Sequence, residues 1–158
     1  MEEIRPIRGE DEARRCAQMM CSTEPWITLG RSFDESLAIV QDPLQEVYVA
    51  LDREQLLGFI VILMRGAFTG YIRSVCVDDP VRGCGIGTRL VEFAERRILR
   101  ETPNVFLCVS SFNPRARALY ERLGYEPIGE LKNYLIDGAS ELMMRKTIGP
   151  IRRARRRT

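Results

Sequence analysis

The segment Arg82-Gly83-Cys84-Gly85-Ile86-Gly87-Thr88 places three glycines within five residues, directly before an amphipathic helical pattern. Glycine permits a tight turn and a close approach of the main chain to a ligand. The first N–H groups of the helix that follows have no acceptors inside it, and the positive end of its dipole lies at the same spot. The segment therefore reads as an anion site whose natural ligand is a phosphate. A second group able to do chemistry is the phenol of Tyr120, on a later helical pattern that opens at Asn113-Pro114. The chain has no histidine. Histidine-based triads are excluded, the commonest neutral metal ligand is missing, and no metal site is expected. Acid–base work falls to carboxylates, tyrosine, lysine, cysteine, backbone or water.

Residue identity narrows the glycine segment. A P-loop needs Gly-Lys-Ser/Thr, whereas Gly87 is followed directly by Thr88 and the segment holds no lysine. A dinucleotide fingerprint needs a third glycine where Thr88 stands. A bare tight turn without a ligand stays open from the loop alone. The later segment is more telling: Asn113-Pro114-Arg115-Ala116-Arg117-Ala118-Leu119-Tyr120, then Leu123-Gly124-Tyr125. It resembles the closing motif of the GNAT superfamily of acyl-CoA-dependent N-acyltransferases. Arg82 to Gly87 resembles that superfamily's pyrophosphate loop, R/Q-x-x-G-x-G/A, and the two motifs stand in the expected order about 25 residues apart.

The resemblance implies an α/β fold with a mixed, mostly antiparallel central sheet and helices on both faces. It implies acetyl-CoA as acyl donor, CoA as product, and direct attack by an acceptor amine without a covalent acyl-enzyme. Val75, Cys76 and Val77 match the strand end whose backbone pairs with the pantetheine arm and polarises the thioester carbonyl. Arg82, Gly83, Cys84, Gly85, Ile86, Gly87 and Thr88 match the pyrophosphate loop. Asn113 matches a residue that holds the cofactor, a role compatible with simple helix capping. Tyr120 matches the phenol beside the thioester sulfur, and the same spacing also suits a tyrosine on a buried helix face.

Glu24-Pro25-Trp26, Leu107-Cys108-Val109 and Asn133-Tyr134 look like the branch that acetylates protein N-termini, including the ribosomal-protein type. Two positions depart from it. Cys108 stands where that branch commonly carries a glutamate base, and Leu135 replaces a second tyrosine. Cys108 reads as packing, and neither Cys84 nor Cys108 is expected to be a nucleophile. Glu24 is a fallback base or an ordinary loop acid. Trp26 either lines the acceptor pocket or anchors its loop. The acceptor is a peptide N-terminus or a small-molecule amine. A non-catalytic CoA-binding module is the alternative.

The elements that must hold these groups follow from periodicity. Residues 4–7 predict a strand and 10–22 a helix. Ser32 and Glu35 form a capping box for a helix to about Val40. Residues 47–51 and 56–64 flank four polar residues as a hairpin, the second strand so apolar that both its faces need cover. Residues 71–77 are a strand leading into the glycine loop. The helix over 85–100 has Ile86, Leu90, Phe93, Ala94 and Ile98 on one face and Glu92 with Arg96 as an exposed pair. Residues 104–110 form a strand, Asn113 and Pro114 start a helix, and Gly124 ends it. Residues 125–136 and 141–147 close as a hairpin about Asp137-Gly138.

With 158 residues, 45% hydrophobic and 29% charged, the chain is one ordinary globular domain, read as residues 1–148 with a disordered basic tail over 149–158. Five arginines among the last eight residues produce the net charge of +2; the rest sets 19 basic residues against 22 acids. That balance argues against a nucleic-acid partner. Five cysteines without a CxxC pair fit a reducing cytoplasm, and no stretch is long enough to cross a membrane. A homodimer is left open.

Overall fold

A strand that is apolar at nearly every position needs cover on both faces, and Gln55–Leu63 (β3) has it, with Phe59, Ile60, Val61 and Ile62 fully buried. The computed structural model describes residues 2–152. The elements are β1 (Glu2–Pro6), α1 (Gly9–Cys21), α2 (Phe33–Val40), β2 (Gln45–Asp52), β3, β4 (Tyr71–Val77), α3 (Ile86–Ile98), β5 (Asn104–Ser110), α4 (Pro114–Arg122), β6 (Glu126–Lys132) and β7 (Ser140–Thr147). The sheet order is β1-β2-β3-β4-β5-β7-β6. Among the described residues every pairing is antiparallel except β4 with β5. This is the expected mixed α/β architecture.

Strand alternation sends β3 side chains into two cores. Ile60 and Ile62 meet Leu90, Val91, Ala94 and Ile98 of α3, together with Val105 and Leu107 of β5. Phe59 and Val61 meet Cys16 and Met20 of α1, Ile39 of α2 and Cys76 of β4. Burying one such Leu, Ile or Phe side chain contributes about 1.5–3 kcal/mol, so the two layers hold the sheet from either side.

Local signals explain most boundaries. Ser32 Oγ accepts from Glu35 N–H (3.1 Å) and Glu35 Oε2 accepts from Ser32 N–H (2.8 Å), the anticipated capping box. Asn113 caps α4 by accepting from Ala116 N–H (3.2 Å), and Gly124 lies past its end at φ +93°. The β2–β3 turn is tighter than expected, because Asp52 and Gln55 pair and leave Arg53-Glu54 as the loop. The closing hairpin is more open, its strands stopping at Lys132 and resuming at Ser140. Among the described residues Glu92 and Arg96 form no ion pair. Arg97, one position on, reaches Glu46 of β2 (2.6 Å) and Glu101 (2.8 Å), where partial burial holds the contact better than open solvent would. The expected basic tail falls mostly outside the described residues.

Gly70 sets the one parallel joint. Its φ is +88°, and a Cβ there would lie 2.6 Å from Asn104 O, so only glycine lets β4 start this close to β5. Gly70 O accepts from Phe106 N–H (2.9 Å).

Candidate active site

β4 and β5 pair only through Tyr71–Phe106 and Ile72–Leu107. Beyond these pairs the two strands run on without a ladder between them. Next to the joint, β4 carries a bulge. Val61 pairs with Ser74 and Ile62 with Ile72, which leaves Arg73 as an extra residue that bends the strand. A cleft of about 650 Å³ lies where the strands part. It is lined by Val75 and Val77 of β4, Cys108 and Ser110 of β5, Glu141 of β7, the glycine loop, Asn113, Tyr120 and the loop bearing Glu24 and Trp26.

The glycine loop forms one end. Gly83 (φ +81°) and Gly85 (φ +84°) are both left-handed, as the turn requires. The first bond into α3 runs from Arg89 N–H to Gly85 O (3.1 Å), and no side chain caps the helix. The amides of Ile86, Gly87 and Thr88 are thus left without acceptors in the helix, beside the cleft. The loop is not uniform, however. Arg82 and Cys84 close turns by donating their amides to Asp79 O (3.2 Å) and Val81 O (3.3 Å), and Cys84 is exposed and absent from the cleft lining. The Arg82 guanidinium joins two loops, pairing with Asp79 (2.9 Å) and donating to Glu24 O (3.3 Å). Arg115, which the motif reading did not single out, brings its guanidinium within 3.5 Å of where a Gly83 Cβ would sit.

Of the strand-end trio, Val75 and Val77 line the cleft, while Cys76 points into the opposite core, its Sγ 3.4 Å from Thr23 Oγ1. Burial holds the Cys76 thiol protonated. Asn113 reaches the cleft wall and caps α4, so both of its sequence readings are compatible with one position. Tyr120 is 8% exposed and stands edge-on to Tyr125 with ring centroids 5.8 Å apart. Desolvation raises its hydroxyl to about 12, which keeps the proton on at neutral pH.

The far face of the sheet has a different chemistry. Ser110 and Glu141 are register partners, and Ser110 Oγ donates to Glu141 Oε1 at 2.5 Å. Glu141 is only 5% exposed, and burial lifts its carboxyl above the usual range despite the Ser110 bond. Burial, reinforced by the Glu141 charge, also pushes up the Tyr71 hydroxyl and the Cys108 thiol. The motif reading missed Glu141. Its only signal was an acid opening the apolar run Leu142-Met143-Met144. Glu24, the fallback base, lines the cleft but is exposed, and its Oε2 accepts from Thr28 N–H (3.1 Å), capping a turn. Trp26 both packs in the α1–α2 core and lines the cleft.

No cluster of metal-ligating side chains occurs among the described residues. The sequence model of the Acetyltransferase (GNAT) family matches residues 11–125. The chain belongs to that family. This GNAT chain is 29% identical over 150 residues to the N-alpha-acetyltransferase RimI of Mycobacterium tuberculosis, covering 87% of the chain and 88% of the relative. It is 33% identical over 78 residues to an N-alpha-acetyltransferase of Sulfurisphaera tokodaii, 48% of the chain and 46% of that protein. The chain therefore spans less than half of the Sulfurisphaera protein. The fold is shared with an aminoglycoside 6'-N-acetyltransferase solved with coenzyme A: TM-score 0.76, 23% identity, 94% of this chain and 98% of that one.

Proposed function

We propose that this GNAT protein transfers an acetyl group from acetyl-CoA to the α-amine of a peptide or protein N-terminus. The supporting observation is the set of unpaired amides at the start of α3, opening into the gap between β4 and β5, with a protonated phenol in the same cleft. The relatives named N-alpha-acetyltransferase favour a peptide amine over a small-molecule one.

The residues present fit the cosubstrate. The amides of Gly83, Gly85, Ile86, Gly87 and Thr88, with the Arg115 guanidinium, would hold the pyrophosphate at the positive end of α3. Cys84 drops out of that set, since its amide closes a turn. Val75, Cys76 and Val77 stand on β4 beyond its last pair with β5, where a peptide-like arm would find backbone partners. When bound, acetyl-CoA supplies an acyl group activated as a thioester. Around it the chain's own donors at the β4 end stabilise charge developing on the carbonyl oxygen, more strongly here than water would. Tyr120 keeps its proton until a departing sulfur needs it. No cysteine acts as nucleophile in this scheme.

The catalytic unit is residues 1–148, and the five free cysteines suit a reducing, cytoplasmic setting. No helix among the described residues is long and apolar enough to cross a membrane. The test is calorimetry with CoA together with thiol release from acetyl-CoA across panels of peptides and small amines. CoA binding and peptide-dependent thiol release are expected. Binding without release for any acceptor would make the protein a CoA-binding module, and no binding to well-folded protein would overturn both.

A further inference from the structure

The acceptor's nitrogen arrives protonated, since an α-ammonium has a pKa of about 8, and a base must free its lone pair. Glu24 is tied to a turn, and Cys108 carries no carboxylate. Glu141 answers a different description. It is a carboxylate buried among β4, β5 and β7, it lines the cleft, and no arginine or lysine bonds it among the described residues. One oxygen, Oε1, is held by Ser110, while Oε2 has no hydrogen-bond partner among the described residues. A carboxylate without a cation costs stability when buried, and such costs concentrate at functional sites.

Strand register fixes its direction. Ser110 and Cys108 alternate with Val109 and Leu107, which pack toward α3, so the Ser110–Glu141 pair faces the opposite, acceptor side of the sheet with Tyr71. We propose that Glu141 is the general base of the transfer and that Ser110 is its positioning residue. This rests on the acetyltransferase reading above. Glu141 Oε2 takes one proton from the acceptor ammonium, directly or through one water. The freed nitrogen forms a bond to the acetyl carbon, that carbon's bond to sulfur breaks, the sulfur takes a proton from Tyr120, and the nitrogen gives its second surplus proton to water. Tyr120 recovers its proton from solvent and Glu141 releases its own, so the balance is amide, thiol and one proton. The groups around Glu141 are Ser110 and Cys108 from β5 and Tyr71 from β4, the thiol and the phenol both held protonated by burial, while Tyr134 of the β6–β7 loop and Arg73 also line the cleft.

The experiment compares the parent, Glu141→Gln and Ser110→Ala by thiol release with a peptide acceptor from pH 5.5 to 9.5, alongside CoA calorimetry and thermal melts. Glu141→Gln should lose about 100-fold or more in kcat/KM with CoA affinity unchanged. Its remaining rate should climb tenfold per pH unit until the peptide's own amine is neutral near pH 8. Ser110→Ala removes a donor that favours the charged carboxylate, so the acidic limb of its profile should move to higher pH. Activity of Glu141→Gln within about threefold of the parent overturns the assignment. So does an acidic limb unmoved in folded Ser110→Ala, which decides the matter if Glu141→Gln does not fold. A parent without turnover sinks the enzymatic reading itself, a separate result.

Discussion

At the scale of single residues, the cleft holds two groups, Tyr120 and Glu141, whose burial shifts them toward the protonated form. Tyr120 is buried enough to keep its hydroxyl protonated up to about pH 12. Tyr120→Phe should lower kcat by about 100-fold, leave CoA affinity intact, and remove no alkaline limb below pH 10, as steady-state kinetics and calorimetry will read out. Glu141 is raised relative to its unfolded value, and the sign of its stability effect follows. Its contribution is fully present below the unfolded carboxyl pKa and is lost as pH rises through the folded one. Glu141→Gln should thus melt no lower than the parent at pH 8, with its relative advantage shrinking toward pH 4. A marked drop in melting temperature at pH 8 would mark a structural acid. Cys84 is exposed on the loop's outer side, and burial holds the half-buried Cys108 thiol protonated. Alanine at either should keep more than about a tenth of the activity, and complete loss in a folded variant would refute direct attack.

At the scale of elements, the glycine loop and the strand parting differ in how sequence encodes them. Left-handed turns have local requirements, so Gly83, Gly85 and the Asn113-Pro114 cap were legible from residue types alone. The cleft is not local. It depends on β4 and β5 meeting only at Tyr71 and Ile72, and on the bulge at Arg73, which no spacing in the sequence announces. Glu141 was hidden for the same reason, because only the β5–β7 register brings it to Ser110. Two glycines make a test. Gly85 has φ +84° and an added Cβ there would meet nothing within 4 Å, so alanine strains the backbone by about 1–2 kcal/mol without a clash. Gly87 lacks a positive φ, and its added Cβ would make only ordinary contact with Val77 (3.5 Å). Gly85→Ala should weaken CoA at least tenfold and lower the melting temperature. Gly87→Ala should leave stability near parental, so any loss of CoA affinity there reports a ligand lying against the main chain. Calorimetry and melts on both separate the two causes.

For the whole molecule, the body of the chain is mildly acidic and the basic excess sits in the last eight residues. Deleting residues 151–158 should leave CoA binding and peptide turnover within about twofold, since the cleft walls all lie earlier in the chain. A larger fall in thiol release would give the tail a part in acceptor capture. The single parallel joint has a broader consequence. The sheet consists of two wings, β1 to β4 and β5 to β7, whose shared seam is two residue pairs long. A guest lodged between them acts as mortar as well as reagent. At a hundredfold excess over its Kd it would add about 2.7 kcal/mol to the folded state, and it should slow amide exchange on both sides of the seam together. The apo protein should thereby be the looser one, with the donor nucleotide completing its architecture.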